Sequence, residues 1–373
     1  MKFLILNADY PQFLHSHYTR HQGLEDKSYA EQMRMRIESL FGGPYHYSVN
    51  LEKLGHEAKD IYLNNEYMQK AWAREHGFHV NGDCRWEFRL RRGIVPWISK
   101  NKEQHWVYDI LAAQIRYYKP DVLLNQAMDT LRNDFLEEIK PHVRLLVGQI
   151  AAPLPQSGNW SIYDLVISSL PNLVTYFRSI DVPSELNRLG FEPAVLSKLS
   201  RGQSDIDVSF VGSLHPAHQT RIAWLEYLCS QVETKVWANG IDRLPDNSPI
   251  RSRHVGTAWG VEMYQIFHTS KMTLNHHIGM AGPYANNSRL YEATGVGTLL
   301  VTDWKEDLHE IFTPGKEVVA YRSPEECVEL IQYYLRHEGE RNAIAQAGQK
   351  RTLADHTYYQ RTQELADIVS NYI

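Results

Sequence analysis

Cysteines are few and long apolar runs are absent in this 373-residue sequence. The three cysteines, Cys84, Cys229 and Cys327, are far apart and lack the paired spacing of a zinc finger. We therefore expect neither a disulfide framework nor a structural zinc. No apolar stretch approaches the roughly 18 residues that cross a bilayer. These absences favour a protein of the reduced cytoplasm and leave peripheral membrane contact open.

An excess of positive charge is also missing. The chain carries 39 Lys and Arg against 44 Asp and Glu, a formal net charge of -5, which disfavours a dedicated nucleic-acid binder. A hydrophobic fraction of 43% and a charged fraction of 22% are ordinary for a globular protein. The length fits two domains of roughly 150–200 residues better than a single core.

Three common catalytic or nucleotide-binding motifs are missing as well. The first apolar run, Phe3–Leu6, is followed by Asn7-Ala8-Asp9-Tyr10 and not by GxGxxG, and no GxxxxGK[ST] occurs. A dinucleotide oxidoreductase and a P-loop NTPase therefore lose their main support. The absence of GxSxG also weakens an α/β-hydrolase interpretation.

Short apolar runs alternate with helical spacing in both halves, which predicts an α/β fold. The predicted strands cover 3–6, 58–63, 121–125, 145–150 and 164–169, then 208–213, 235–237, 272–275, 298–302 and 317–321. Turn-forming residues at 192–204 predict a linker. We expect two Rossmann-like, doubly wound domains, 1–192 and 205–373, which face each other across a cleft. Helices end the chain, and the last of them could pack back on the first domain.

The most informative local signal lies at 286–303, which predicts a loop, a helix start and a buried strand. A helix N-terminus offers unpaired N–H groups and the positive end of the helix dipole, both suited to phosphate. Glu292, about one turn inside, could accept hydrogen bonds from sugar or ribose hydroxyls. Together these features indicate a nucleotide-sugar site, and the alternative is an ordinary capped helix.

Several motifs of the second half occur in an order that resembles a known family. They are 207–213, 270–275, 287–293, 315–321, Tyr333-Tyr334-Leu335, Glu340-Arg341, Gly348 and His356-Thr357-Tyr358. This order is similar to the CgeB-like, group 1-type family of GT-B glycosyltransferases. The resemblance covers roughly residues 205–365. The first half shares only the general βα pattern and the Leu54-Gly55-His56-Glu57 turn.

The resemblance implies a GT-B enzyme with an N-terminal acceptor domain and a C-terminal donor domain. It also implies a nucleotide-diphosphate sugar as co-substrate, with neither a metal nor another cofactor. Arg289 and Lys271 would then stabilise the leaving diphosphate, and Glu292 would bind the ribose. The remaining donor contacts would come from Gly212, Ser213, Asn287 and Ser288.

One position departs from related retaining families, which often carry two glutamates eight positions apart. Tyr284 stands eight residues before Glu292, where the first glutamate would be. The sugar and the stereochemical course therefore stay open, with a slight preference for retention. We still expect Tyr284 and the glycine-containing loop before it to form part of the sugar pocket, because glycine allows close backbone approach.

The first half offers candidates for an acceptor base. Asp9 and the histidines His15, His17 and His21 fall in a predicted loop after the first strand, and one of them could deprotonate an acceptor hydroxyl. Solvated or structural histidines are the commoner case. A His-x-His metal site lacks a carboxylate at convincing spacing.

Two further clusters leave alternatives open. His276 and His277 follow a predicted strand and should point to opposite faces, so at most one reaches the donor. His276 is the candidate, with packing as the alternative. The basic and aromatic residues at 85–92 and Trp97 suit an anionic acceptor, lipid head groups or nucleic acid, or else a solvated helix.

The leading prediction is therefore a metal-independent glycosyltransferase acting on a hydroxyl-bearing acceptor. The acceptor could be a glycan, a lipid-linked molecule or a small molecule, and no nucleic acid is expected. One alternative is a sugar-nucleotide epimerase or hydrolase of the same fold. The other is a non-catalytic spore or envelope assembly protein.

Overall fold

The computed structural model describes residues 1–42, 44–80, 85–91, 95–101, 105–155, 158–200, 202, 205–215 and 218–373. These residues form two six-stranded parallel sheets with helices packed on them, so the predicted α/β fold is confirmed. Parallel strands with both faces covered explain why most of the strand residues are apolar and buried.

The N-terminal sheet has the order β2-β1-β5-β6-β7-β8. Its strands, with the short hairpin β3–β4, are β1 (Lys2–Asn7), β2 (Glu57–Tyr62), β3 (Arg85–Arg91), β4 (Val95–Asn101), β5 (Val122–Asn125), β6 (Leu145–Gln149), β7 (Leu165–Ser168) and β8 (Ser184–Leu186). The helices of this half are α1 (Pro11–Arg20), α2 (Tyr29–Glu38), α3 (Pro44–Lys53), α4 (Glu66–Glu75), α5 (His105–Tyr118), α6 (Asn133–Ile139) and α7 (Pro171–Ser179).

Two expectations about this half are wrong. The segment after β1 is not a long loop but the helix α1. Pro11 favours the start of this helix, because its missing N–H costs no hydrogen bond in the first turn. The basic and aromatic segment is not a helix in its described part either, since β3 and β4 pair antiparallel from Arg85↔Asn101 to Arg91↔Val95. Arg92 lies outside the described residues.

The C-terminal sheet has the order β11-β10-β9-β12-β13-β14. Its strands are β9 (Ile206–Ser213), β10 (Lys235–Asn239), β11 (His254–Gly256), β12 (Ser270–Leu274), β13 (Leu299–Asp303) and β14 (Val319–Tyr321). Its helices are α8 (Gln219–Gln231), α9 (Pro249–Arg253), α10 (Gly260–His268), α11 (Ser288–Gly295), α12 (Leu308–Ile311), α13 (Pro324–Arg336), α14 (Glu338–Asp355) and α15 (Tyr358–Ser370). The strand order reverses between β9 and β12, so a crevice is expected at their carboxyl ends.

The last helix, α15, leaves the C-terminal sheet and packs on α3 of the first half. Its Leu365 and Val369 are buried in one cluster with Phe3 and Ile5 of β1. A capping box at Thr357 and Gln360 starts the helix at this crossing point.

A second contact between the halves lies beside the cleft. Phe13 stacks on Phe41 with ring centroids 4.2 Å apart, and Phe41 meets Trp259 edge-on at 5.1 Å. Gly260 follows with φ +54°, and a Cβ there would lie 1.9 Å from the carbonyl oxygen of Ser39. Only glycine allows this approach, so the start of α10 is held against the first half.

Candidate active site

The N-terminus of α11 lies at the carboxyl edge of the C-terminal sheet. Asn287 caps the helix by accepting from the Leu290 N–H at 3.3 Å, and its Nδ2 donates to Asn275 Oδ1 at 2.8 Å. Asn275 in turn donates to Thr302 Oγ1 at the end of β13. The backbone N–H groups of Ser288 and Arg289 find no acceptor among the described residues. They are therefore available to an anion at this edge.

Arg289 and Glu292 form a pair inside α11. Arg289 Nη1 lies 2.6 Å from Glu292 Oε2, Nη2 donates to the Val211 carbonyl at 2.9 Å, and the guanidinium sits 4.1 Å from the centre of the Phe267 ring. Burial lowers the pKa of Arg289 and raises the pKa of Glu292, and the attraction between them opposes both shifts. The pair fixes Glu292 beside the helix N-terminus.

Gly212 and Ser213 end β9 directly after this contact, and both are partly buried. The Ser213 hydroxyl oxygen accepts from the His215 N–H at 3.3 Å. A Cβ at Gly212 would lie 3.0 Å from the Phe210 ring. The end of β9 thus lies beside Arg289 of α11, and the predicted contact of Gly212 and Ser213 with the donor stays a prediction.

Arg221, in the first turn of α8, is a second partly buried arginine of the site. Its Nε and Nη2 donate to the His276 carbonyl at 3.0 and 2.8 Å, and no carboxylate of a described residue lies within salt-bridge distance. Burial, followed by repulsion from Arg289, lowers the pKa of Arg221 to about 10, and Tyr10 across the cleft is within electrostatic reach. Arg221 remains a cation at neutral pH.

Sequence reasoning missed Arg221, although one signal was present. A cation in the first turn of a helix opposes the helix dipole, so evolution has little structural reason to place it there. An arginine in the first turn of the helix that follows a strand ending in glycine and serine is therefore a signal of anion binding.

The two histidines after β12 have different surroundings. His276 stacks on Trp224 with centroids 5.1 Å apart, and its Nδ1 lies 3.0 Å from the Tyr321 hydroxyl. Burial lowers the pKa of His276 to about 4, so the ring is neutral at pH 7. The His276 ring therefore packs, and the residue serves the site through its carbonyl. The expected contact of its side chain with the donor is not supported by this geometry.

His277 faces the other way. Its Nδ1 lies 2.6 Å from Asp303 Oδ1, and its buried Nε2 has no partner among the described residues. Burial opposes ionisation of Asp303, but the hydrogen bond and charge of His277, with Lys305 at 3.4 Å, outweigh it and hold the pKa of Asp303 well below its usual range. The His277 Nε2 is therefore a buried polar atom that a ligand could partner.

The loop before α11 reaches towards the first half. Tyr284 packs, partly buried, against the N-terminal core, and Asn172 Nδ2 donates to the Met280 carbonyl at 3.0 Å. Asn286 is only 7% exposed, yet neither its Oδ1 nor its Nδ2 has a partner among the described residues. A buried amide without partners is costly, so Asn286 is a second side chain equipped to meet a polar ligand.

No group of three or more His, Cys, Asp or Glu is placed to hold a metal ion within the described ranges. In the same part of the chain, no helix is both long enough and apolar enough to cross a membrane.

Comparison with known proteins identifies the fold. Residues 195–367 match the family model described as glycosyl transferase-like. Sucrose-phosphate synthase from Thermosynechococcus elongatus has 9% identity and a TM-score of 0.59, over 100% of this chain and 98% of that one. Anabaena HepE, solved with UDP-glucose, has 12% identity and a TM-score of 0.60 over 100% of both chains. The chain therefore has the GT-B fold.

A glycosyltransferase from Rickettsia africae shows the same likeness, with 10% identity and a TM-score of 0.58 over 100% of this chain and 98% of that chain. At such identities the likeness is one of fold. No curated protein sequence matches the chain.

Most of the predicted donor residues lie at one edge of the C-terminal sheet. Gly212, Ser213, Asn287, Ser288, Arg289 and Glu292 all lie at the carboxyl edge of the C-terminal sheet, around the N-terminus of α11. Their individual contacts with a donor stay predictions.

Lys271 does not join them. It is the second residue of β12 and therefore lies near the amino end of that strand, the edge away from α11. Its Nζ pairs with Asp207 at 2.6 Å on the neighbouring strand. The expectation that Lys271 stabilises a leaving diphosphate is wrong in this geometry, because a strand places residues at its two ends on opposite edges of the sheet.

Neither predicted base is placed as expected. The Asp9 carboxylate is buried and bound by Arg36 through two hydrogen bonds, at 2.5 and 2.8 Å, so its oxygens are occupied. His15 is exposed on α1, on the face that points away from Trp259. His17 is buried against Phe13, and burial lowers its pKa to about 4.

Proposed function

We propose that the protein is a CgeB-like enzyme that transfers a sugar from a nucleotide-diphosphate sugar to a hydroxyl-bearing acceptor without a bound metal ion. The observation that carries this function is the convergence of Arg221, Arg289 and the open N-terminus of α11 on the crevice between β9 and β12. The ordered motifs of the second half and the fold shared with HepE in its UDP-glucose complex support it.

In the reaction, the bond between the anomeric carbon and the diphosphate oxygen breaks as the acceptor oxygen bonds to that carbon. The negative charge that develops on the diphosphate is stabilised by Arg221, Arg289 and the free N–H groups of Ser288 and Arg289. These groups are fixed before the donor arrives, so little reorganisation is needed during the reaction.

Glu292 is the acceptor for ribose hydroxyls, and Arg289 holds its carboxylate in place. His277 Nε2 and the Asn286 amide are the groups left to recognise the sugar or the phosphates.

The proton of the acceptor hydroxyl is transferred to the departing diphosphate oxygen. Asp9 is occupied by Arg36, and His15 lies on the far side of α1, so neither abstracts the proton. Attack from the face of the departing diphosphate keeps the anomeric configuration, and the product anomer measured by NMR tests this step.

The experiment that tests the function is thermal-shift binding to UDP-, GDP-, dTDP-, ADP- and CMP-linked sugars, with and without EDTA. A ligand at 100 times its dissociation constant adds about 2.7 kcal/mol of stability. We expect one nucleotide to stabilise the protein equally in both buffers. No stabilisation by any donor, with folded protein, would contradict the proposal, and stabilisation lost in EDTA would contradict its metal-independent part.

A second incubation separates transfer from chemistry on the donor alone. We expect donor consumption only when an acceptor is present. Conversion or rapid hydrolysis of the nucleotide sugar without an acceptor would instead indicate an epimerase or a hydrolase. The three widely spaced cysteines are in keeping with action in the cytoplasm.

A further inference from the structure

A pocket of about 330 Å³ lies in the first half, between α1 and the start of α4. Its lining includes His15, Tyr18, Glu25, Asn65, Glu66 and Tyr67. None of these residues belongs to the donor edge described above.

The pocket is on the outer side of α1. Phe13 contacts Trp259, and Arg20 pairs with Glu262 at 2.9 Å, so these two residues mark the face towards the second half. His15 and Tyr18 are offset from that face by helical spacing and line the pocket. A ligand in the pocket therefore cannot touch the leaving diphosphate, and the pocket is a remote site.

Asn65 is a buried polar residue in the wall of the pocket. It is 1% exposed and lines the pocket, and its Oδ1 accepts from the Met68 N–H at 3.2 Å. The Tyr18 hydroxyl lies 2.8 Å from the same Oδ1 and 2.7 Å from Gln32 Oε1, so its single proton can go to either acceptor. The bond from Met68 fixes the amide orientation and leaves Nδ2 without a partner among the described residues. The wall of the pocket thus contains a buried donor without an acceptor.

The charges of the lining residues further restrict the chemical class of the ligand. The lining contains two carboxylates, Glu25 and Glu66, and no Lys or Arg. Glu66 is neutralised by Lys70 at 2.6 Å, which leaves Glu25 to repel an anionic ligand and to accept a hydrogen bond. A phosphate cannot donate to Glu25 without a proton, and an ammonium cannot accept from Asn65. A neutral hydroxyl can do both.

Tyr67 provides an apolar face. It is 51% exposed, and its ring is 4.8 Å from that of Tyr18. An exposed ring beside hydroxyl-binding groups suits the C–H face of a sugar ring.

We propose that this pocket binds a neutral glycan and holds a part of the acceptor that is remote from the transfer site. This role rests on the proposed function. A glycan bound in this pocket requires the acceptor to be a polyhydroxylated chain, long enough to extend from the pocket around α1 to the transfer site. An acceptor anchored in the pocket by a phosphate group is excluded.

The test is binding of the full chain to an array of neutral and of phosphate- or carboxylate-bearing glycans, followed by titration of each hit. We expect hits among neutral glycans only. Tyr67→Ala should raise their dissociation constant at least tenfold, and Tyr67→Phe should restore binding because the ring is kept. The matched control is Tyr359→Ala, which removes a tyrosine of similar exposure, 43% against 51%, from the start of α15.

The pocket assignment is overturned by no neutral hit, by hits confined to anionic glycans, or by Tyr67→Ala binding like the control. The unfolding midpoint of each variant shows whether it is folded, so a loss of glycan binding that is caused by misfolding can be recognised. Nucleotide-sugar stabilisation, measured on the same samples, reports on α11 alone. Donor binding without glycan binding refutes only the pocket, whereas glycan binding without donor binding refutes the transferase function and the acceptor role with it.

Discussion

Arg289 and Glu292 lie three residues apart on α11 and form a 2.6 Å salt bridge, with each side chain only 14% exposed. Arg289 also donates to the Val211 carbonyl, so the pair ties α11 to the end of β9. The two residues had separate predicted tasks, one for the diphosphate and one for the ribose. Their contact makes them a single unit, in which a change of one alters the position and charge of the other.

We expect this unit to show strong coupling in stability. Glu292→Gln or Arg289→Met alone leaves a buried charge without its partner and should cost about 3 kcal/mol of unfolding free energy. The double variant should lose clearly less than the sum, by 1 kcal/mol or more. Urea unfolding of the four proteins measures the coupling energy.

The matched control is the exposed pair Arg351 and Asp355, at 2.6 Å on α14. Its coupling should stay below about 0.5 kcal/mol because solvent screens it. Equal coupling in the two pairs would show that the burial around Arg289 does not strengthen its salt bridge.

Lys271→Ala is expected to leave donor binding and turnover within twofold of the unchanged protein. Lys271 lies near the amino end of β12 and pairs with Asp207 on a partly exposed surface. Loss of such a pair costs about 0.5 kcal/mol or less. Steady-state kinetics with saturating acceptor are the measurement. A tenfold fall in kcat would show that Lys271 does take part in the active site.

The sheets could be predicted from sequence because each buried parallel strand is a short apolar run. Phe3–Leu6 and Val208–Val211 carry this pattern without help from distant residues. The start of α11 could also be predicted, since Asn287 caps it locally. α1 was missed because its pattern of histidines and aromatics gives little contrast between two faces.

The failures within the site have long-range causes. Arg221 reaches the carbonyl of His276, 55 positions along the chain, and Asp9 is occupied by Arg36, 27 positions away. No local pattern encodes such contacts. Lys271 is different, because the direction of its own strand already placed it near the amino end, away from the crevice.

A buried carboxyl in the first half predicts a particular pH dependence of stability. Asp60 accepts from Asn7 Nδ2 at 2.9 Å and from the Ser48 hydroxyl. Burial raises its pKa to about 6, although these bonds and Arg36 act the other way. The unfolded pKa is near 3.9, so the folded state holds the proton more tightly. Stability from this group is present below about pH 4 and is lost as pH rises through 6.

Asp60→Asn removes this ionisation and keeps the shape, and the Ser48 hydroxyl can accept from the new amide. The unfolding free energy of the variant minus that of the unchanged protein should therefore rise by about 2–3 kcal/mol between pH 4 and pH 7. Chemical denaturation at single pH steps measures it. A difference that stays constant, or that falls with pH, would contradict the raised pKa of Asp60.

Arg221→Ala is expected to reduce kcat/KM at least tenfold with the donor selected by thermal shift. Arg221 meets no carboxylate among the described residues, and each charge-assisted bond to a diphosphate contributes about 1.5–3 kcal/mol. Arg221→Lys should recover only part of the loss, because a single ammonium cannot donate to the His276 carbonyl and to a phosphate in the same fixed geometry. The control is Arg74→Ala, which removes an exposed arginine from α4. Equal kcat/KM values for Arg221→Ala and the control, at equal unfolding midpoints, would show that Arg221 does not stabilise the departing diphosphate. Arg289 and the N-terminus of α11 would then be the groups that do.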